Sequence, residues 1–365
     1  MSIFQHGRQQ AAPLFLFLLT TASAFSDDIV PYTKFNSFAY SEAVSISDFI
    51  DDWQGDYQDG SIALVNSKLE VGIEYSGLQL SFFKKYNYEL KFSKDTAEFY
   101  YQTQNKKPLD IGRTYQLNIE PHQIYSEGAR LGYQHHFSDK RLSVQFGVSY
   151  LQGKKLTTGK LYGTANANSD KDYDFLFNVD DYFYSEDRLF ERPMEQVPEG
   201  HGYSFDATLN WRITPKLFTQ IELTDLMGRI YWKNAPYTTA VATSDTKQYD
   251  DEGYLTYKPV LSGVESNRNF TQRLPLYAHL QLGYQLPLID LIVKTDHTAI
   301  KNFTSFGINL PTSKITQWQF FYNVTAKALS MGYSSKYFSA NLISDSINPD
   351  KAHTLGLSLA LTLPL

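Results

Sequence analysis

The last residues of the chain, AHTLGLSLALTLPL, place leucine at every second position. Leucine occupies the odd positions from Leu355 to Leu365, and the residues between them are Thr354, Gly356, Ser358, Ala360, Thr362 and Pro364. Side chains alternate between the two faces of a β-strand, so a period of two separates the leucines from the small residues. The segment predicts a strand with one strongly apolar face and one face of small residues.

The same period recurs along most of the chain. In KLEVGIEY, Leu69, Val71, Ile73 and Tyr75 share one face, and the opposite face carries Lys68, Glu70, Gly72 and Glu74. Comparable segments are 141–150, 203–212, 274–286 and 318–324. Many run for roughly 9–12 residues, the length a strand tilted across a bilayer needs, whereas strands of soluble proteins are usually about 5–6 residues long. Aromatic residues at their ends are typical of strands that cross the two membrane interfaces.

The N-terminus has the pattern of a secretory signal peptide. Arg8 precedes an apolar run from Ala11 to Leu19, and Ala22-Ser23-Ala24 provides small residues for cleavage after Ala24. The chain of 365 residues has no cysteine and a mean hydropathy of −0.37, which excludes a bundle of membrane helices. A net charge of −6 and the lack of a basic stripe argue against nucleic acid as a partner.

The connections between the alternating segments are of two kinds. Tight turns are predicted at Ser138-Asp139-Lys140 and Thr214-Pro215-Lys216, whereas residues 164–202, 244–253 and 344–352 are predicted to be long polar loops. No helical period is found beyond the signal peptide. We therefore expect a signal peptide at 1–24, an N-terminal segment at 25–60 that forms a first strand or a plug in the lumen, and a barrel at 61–365.

Together these features resemble the Gram-negative outer-membrane β-barrel class. Lipid offers no hydrogen-bond partners, so a sheet in a bilayer must close on itself. The resemblance implies an all-β fold, a closed antiparallel transmembrane β-barrel, and counting the alternating segments gives about 14 strands (range 12–16). It also implies outer-membrane lipid and lipopolysaccharide as surroundings, and recognition of the C-terminal strand by the barrel-assembly machinery. That strand ends in Leu365 where the class usually has an aromatic residue, and Ala360 occupies a position that is often glycine. The oligomeric state is left open.

Charged residues on the polar faces are the candidates for the lumen: Glu70, Glu74, Arg130, Asp206, Arg212, Glu222 and His279. They either line a channel filled with water or pair with one another and plug the interior, since small barrels are filled by side chains and wider ones leave a channel. Both alternatives remain open at about 14 strands. Charges of both signs are present, so strong selectivity for anions or cations is not predicted.

The sequence gives weak support for metal binding or catalysis. Asp170, Asp172 and Asp174 begin like a calcium-binding loop, but Phe175 and Asp181 stand where glycine and glutamate are needed, so a solvated acidic loop is favoured. No spacing indicates a catalytic set, and no cofactor is expected. The leading hypothesis is a channel or transporter for small solutes or a hydrophobic ligand. The alternative is a non-transporting structural or surface-binding barrel acting through its long loops, and a barrel-embedded hydrolase is third.

Overall fold

The computed structural model describes residues 29–137, 141–184, 198–249, 255–257, 260–313 and 315–363. The strands are β1 (Ile29–Ser41), β2 (Ile62–Tyr75), β3 (Leu78–Phe92), β4 (Thr114–His136), β5 (Leu142–Ala167), β6 (Tyr173–Tyr184), β7 (Glu199–Arg212), β8 (Leu217–Thr243), β9 (Lys247–Tyr249), β10 (Leu255–Tyr257), β11 (Leu261–Arg273), β12 (Tyr277–Gln285), β13 (Asp290–His297), β14 (Asn302–Pro311), β15 (Gln317–Asn323), β16 (Ala328–Ser334), β17 (Phe338–Ser344) and β18 (Thr354–Thr362). The helices of the described residues are α1 (Ile46–Ile50), α2 (Lys94–Gln104) and a 3-10 turn, Pro349–Lys351.

The sheet closes where the last strand meets the first. β18 pairs with β1 in an antiparallel register that runs from Tyr32 opposite Thr362 to Tyr40 opposite Thr354. The closed ring contains 14 strands, namely β1 to β5, β7, β8 and β12 to β18, and all neighbours in it are antiparallel. The predicted fold class and the strand number of about 14 are therefore confirmed.

Strands β6 and β11 extend the wall on one side of the barrel. β5 pairs with β7 over its first half and with β6 over its second half, so β6 continues the position of β7 toward one end of the barrel. β11 continues the position of β12 in the same way, because both pair with successive parts of β8. The wall formed by β4 to β8 and β11 is consequently tall, whereas β13 to β17 have only 7 to 10 residues each.

The outer face of the barrel carries a belt of apolar side chains. Leu355, Leu357 and Leu361 of β18 point outward and are about two-fifths exposed, and Leu282 and Phe306 are about half exposed. A closed barrel satisfies its backbone internally, and such a belt matches the hydrocarbon region of a bilayer. The molecule is a closed transmembrane β-barrel, the fold predicted from the resemblance to the outer-membrane class. The first 28 residues, which include the predicted signal peptide, and the terminal Leu365 lie outside the described residues.

The two ends of the barrel differ in their connections. At the turn end, short segments such as 76–77, 213–216 and 335–337 join consecutive strands, and both ends of the described chain lie there. At the loop end, the connections 42–61 and 93–113 contain α1 and α2. In barrels of this class the short turns are periplasmic and the longer loops are extracellular.

Two expectations about local structure were wrong. Residues 94–104 form helix α2, which begins at an N-cap, Ser93, whose hydroxyl accepts the Thr96 amide, with Asp95 in the first turn. Residues 164–202 are not one loop, because alternation continues through Tyr173, Phe175 and Phe177 and gives β6 after a turn at 168–172. No helix in the described part of the chain is long and apolar enough to cross a membrane.

Candidate functional site

A network of charged and amide side chains occupies the interior beside β2 to β8. The Arg130 Nε donates to Asp206 Oδ2 at 3.0 Å, and its Nη1 donates to Gln79 Oε1 at 3.1 Å. The same Gln79 oxygen accepts Gln145 Nε2 at 2.5 Å, while Gln79 Nε2 donates to Glu74 Oε2 at 2.9 Å. Arg130 is 7% exposed, so its charge is neutralised within the wall and does not face an aqueous channel.

Glu70 belongs to a second part of this network. Its Oε1 accepts hydrogen bonds from the Tyr32 hydroxyl at 3.0 Å and from the Ser81 hydroxyl at 2.8 Å. Lys68 Nζ lies 2.7 Å from Glu70 Oε2 and 4.9 Å from the centre of the Phe83 ring. Since Tyr32, Lys68 and Ser81 belong to three different strands, the Glu70 carboxylate links β1, β2 and β3.

A buried ion pair connects β3 to β8 across the interior. Lys85 Nζ donates to Asp225 Oδ2, and both side chains are about 95% buried. Asp225 lies in an interruption of β8, where Asp225 and Met227 adopt positive φ angles of 63° and 51° and the register with β7 shifts. The backbone amide of Asp225 donates to Asp206 Oδ1 at 3.2 Å. The pair therefore fixes an inward bulge of β8.

Apolar side chains complete the filling of this side toward the loop end. Trp232 Nε1 donates to Gln272 Oε1 at 3.0 Å, and Gln272 Nε2 donates to the Gln123 carbonyl oxygen at 2.9 Å, so β8, β11 and β4 are linked across the interior. The cluster around them comprises Phe83, Ile124, Leu151, Leu156, Phe183, Ile230, Ala235, Tyr237 and Leu274. We call the interior beside β2 to β8 the packed side.

The opposite part of the interior, beside β12 to β18 and β1, contains a cavity of about 460 Å³, and we call it the open side. Tyr277 separates the two sides, since its hydroxyl donates to Glu89 Oε1 on β3 at 2.9 Å and its ring lines the cavity. Amide and hydroxyl side chains lie beside apolar ones in the lining; the former include Asn36, Asn66, Ser305, Asn323, Ser330, Asn341 and Ser358. The cavity surface thus offers both donors and acceptors to a small polar molecule.

Charged groups enter this cavity from β8, β12 and β13. Glu222, His279 and Asp296 lie opposite one another on these three adjacent strands, and His279 Nδ1 is 2.6 Å from Asp296 Oδ1. Lys294 lies two residues before Asp296 on the same face, with its Nζ 4.1 Å from the centre of the Phe321 ring. All four charged or titratable side chains line the cavity.

An apolar layer covers the cavity at the loop end. The Phe303 ring makes edge contacts with Phe38 at 5.0 Å and Tyr40 at 5.1 Å between ring centres. Ile62, Leu64, Ala326 and Ala328 belong to the same buried cluster, which Ile300 and Ile343 also contact. Because β14 and β1 are separated by four strands in the ring, these contacts reach across the mouth of the open side. We call this cluster the gate layer.

An ion pair fastens the gate layer from outside. Lys301 donates to Glu42 Oε1, which joins the β13–β14 connection to the β1–β2 connection, and Glu42 Oε2 accepts the Ser61 amide at 2.9 Å. Burial alone raises the pKa of Glu42, but the bonds from Lys301 and Ser61 outweigh it and lower this pKa. Burial lowers the pKa of Lys301, and Glu42 and Tyr40 more than compensate, so this pKa is raised. Both groups are therefore charged at neutral pH.

The residues predicted for the lumen fall into three places. Glu70, Glu74, Arg130 and Asp206 lie in the network of the packed side, whereas Glu222 and His279 line the cavity. Arg212 is exposed at the turn end, where its Nη1 donates to the Pro215 carbonyl oxygen and to Gln285. At the tip of the β5–β6 turn, Asp174 accepts hydrogen bonds from Asn168 and Ser244, and the described residues contain no group of three potential metal ligands.

Lys294, Asp296 and the asparagines of the cavity were not predicted as site residues. Lys294 and Asp296 occupy the inward positions of LIVKTDH, where Leu291 and Val293 are outward, so the alternation of this short segment contains the signal. The asparagines carry no charge, and sequence alone gives no reason to separate them from other polar inward positions.

Comparisons with known proteins add little. No family model matches the chain, and no curated protein matches it. Similar solved structures include a TodX deltaS2S3 mutant monoaromatic hydrocarbon channel, with a TM-score of 0.45 and 7% identity over 93% of this chain and 90% of that chain. The P. putida toluene transporter TodX gives 0.41 and 7% over 93% and 89%, and a Pseudomonas aeruginosa FadL homologue gives 0.35 and 8% over 92% and 88%. All three TM-scores are below 0.5, so the proposals below rest on the residues of this barrel alone.

Proposed function

We propose that this barrel passes small polar solutes across the outer membrane along its open side, beneath the gate layer. The observation that carries the proposal is the cavity of about 460 Å³ in the barrel interior, to whose lining many amide and hydroxyl side chains contribute. A lining of this kind replaces part of the hydration shell of a polar solute, whereas a hydrophobic ligand would have to desolvate it without compensation. Solutes with hydroxyl or amide groups are therefore favoured over hydrocarbons.

The gate layer limits the rate at which solutes pass along the open side. Phe303, Phe38 and Tyr40 close the loop-end mouth with rings that exclude water, and such apolar constrictions control permeation by dewetting. Displacement of the Phe303 ring would connect the cavity to the extracellular side. The ion pair of Lys301 and Glu42 holds the two connections together and so keeps the mouth closed.

Swelling of proteoliposomes in a neutral polyol tests the proposal. The substitution Phe303→Ala removes the central ring of the gate layer and should increase the swelling rate several-fold over the wild type. Phe306→Ala is the matched control, because Phe306 lies on the same strand with its ring exposed on the lipid face, and it should leave the rate unchanged. Swelling of both wild type and Phe303→Ala at the rate of protein-free liposomes would rule out passage.

The alternative, a surface-binding barrel, is favoured by one observation. Arg113 forms ion pairs with Asp95, Glu98 and Asp110 and so fixes α2 against the start of β4 in a folded body at the loop end. The hydrogen bonds that Arg113 donates to the carboxylates of Glu98 and Asp110 raise the pKa of its guanidinium. Liposomes that fail to swell with Phe303→Ala would favour this role, since the loop-end body would then be the part of the molecule with access to a partner.

A further inference from the structure

Two opposite charges in the cavity form no hydrogen bond or ion pair with the described residues. Glu222 is exposed to the cavity and acts on His279, which lies opposite it, only through space. Lys294 lies over the Phe321 ring and is attracted to Asp296 only through space. The charges of the packed side differ, because Arg130 and Lys85 are each engaged by a carboxylate. The two cations of the packed side are thus neutralised by ion pairs, whereas one carboxylate and one ammonium on the open side are available to a solute.

The register fixes how far apart these two groups lie. Glu222 is opposite His279 on β12, Asp296 is the next residue across on β13, and Lys294 is two residues along β13. Strand spacing and rise place the Cα atoms of Glu222 and Lys294 about 10 Å apart across the sheet and about 7 Å apart along it. Both side chains are long and face one cavity, so a molecule of a few ångströms fits between their charged ends.

We propose that the cavity selects small zwitterionic solutes, molecules that carry one ammonium and one carboxylate group. The ammonium faces Glu222 and the carboxylate faces Lys294, while the surrounding asparagine and serine side chains bind the remaining polar atoms. A neutral polyol leaves both charges without partners, and an anion or a cation satisfies one of them and is repelled by the other. This inference rests on the proposed function, since it names the solute that passes along the open side.

Swelling rates in alanine and in glycerol, two electroneutral solutes of similar size, test the selectivity. We expect the ratio of the alanine rate to the glycerol rate to be about five-fold higher for the barrel than for an unselective pore, because partly exposed charge contacts each contribute a small factor. Glu222→Gln and Lys294→Gln should each lower the ratio of the alanine rate to the glycerol rate toward that of the unselective pore. A ratio that stays at the wild-type value in both variants would overturn the inference and leave passage itself intact.

Exchange of the two charges distinguishes solute selection by Glu222 and Lys294 from a purely structural role of these residues. Glu222→Lys alone places two ammonium groups in the cavity and should abolish the preference for alanine, whereas Glu222→Lys with Lys294→Glu should restore it, because a zwitterion binds equally well when reversed.

Equilibrium dialysis of radiolabelled alanine against the detergent-solubilised barrel separates binding from passage. Binding that is weakened by Glu222→Gln would uphold the site even in liposomes that do not swell, and absence of binding in the wild type would refute it.

Discussion

The packed side and the open side are built from the same alternation of apolar and polar residues, yet one is filled and the other contains a cavity. The inward positions of β3 hold Gln79, Phe83 and Lys85, which are long enough to meet residues from β4, β5 and β8. The inward positions of β16 and β18 hold alanine, serine, glycine and threonine. Period two determines which face is inward, and the size of the inward side chains determines whether the interior is closed.

The largest expected effect comes from breaking the buried pair of the packed side. Asp225→Ala removes the partner of Lys85 and leaves an uncompensated ammonium in the interior, which should lower the free energy of unfolding by about 3–5 kcal/mol. Urea unfolding in detergent micelles, followed by tryptophan fluorescence, measures the loss.

The double variant Lys85→Met with Asp225→Asn is the control for this prediction. It removes the unpaired buried ammonium of Lys85, and asparagine tolerates the positive φ of residue 225, so most of the stability should return. A single variant as stable as the wild type would mean that the packed side is held by its apolar cluster alone.

Two glycine substitutions compare the sides directly. A Cβ at Gly147 would lie 2.5 Å from Nη2 of Arg130, whose guanidinium is held by Asp206 and Gln79, whereas at Gly332 on the open side the nearest atoms are 3.3 Å away. Gly147→Ala should therefore cost about 1–3 kcal/mol of unfolding free energy. Gly332→Ala should change it by less than about 0.5 kcal/mol, because the gain from a stiffer unfolded chain offsets mild crowding. Equal losses from the two substitutions would contradict the distinction between the sides.

The smallest effect concerns the ion pair above the gate layer. The folded pKa of Glu42 is lowered from its ordinary value of 4.5, so the stability it supplies is present above that value and is lost as pH falls through the folded pKa. We expect Glu42→Gln to cost about 1 kcal/mol near neutral pH, because both side chains are partly exposed, and to cost nothing in acid. Urea titrations of both proteins at the two pH values measure the difference.

The pair of Lys94 and Asp59 at the loop end is the matched control for Glu42. Its charged atoms are 3.4 Å apart and both side chains are about 70% exposed, so Asp59→Asn should have no measurable effect at either pH. A pH dependence of the same size in both variants would assign the effect to the net charge of the loop end.

Much of the fold could be predicted from the sequence, and the exceptions have physical reasons. Strands such as β2 and β18 alternate without interruption, which is a local signal. Helix α2 was missed because its buried face, which includes Ala97 and Tyr101, is short and mixed with polar residues. The bulge of β8 gives no sign in the sequence, since Asp225 and Met227 are not glycines and the stabilising partner Lys85 is 140 residues away.

The site was predicted in part for similar reasons. Glu222 and His279 were candidates because charges on the inward face of a long strand stand out. Which candidates would pair was beyond the sequence, because pairing depends on the bulge of β8 and on contacts between distant strands. Glu70 and Arg130 have the same sequence signature as Glu222, yet the fold neutralises the first two and leaves the third accessible.

The seam between β1 and β18 has a kinetic consequence. The strands that pair there are the first and last of the described chain, so nearly the whole polypeptide forms the loop that this contact closes. Closing so long a loop restricts the chain before any compensating contact forms, and non-local pairings of this kind fold slowly. Until β18 arrives, both edges of the growing sheet have unpaired backbone groups in or near lipid, where they are costly. Those edges remain unpaired until the nine residues of β18 pair with β1, so the last strand of the sheet is the one that completes the barrel.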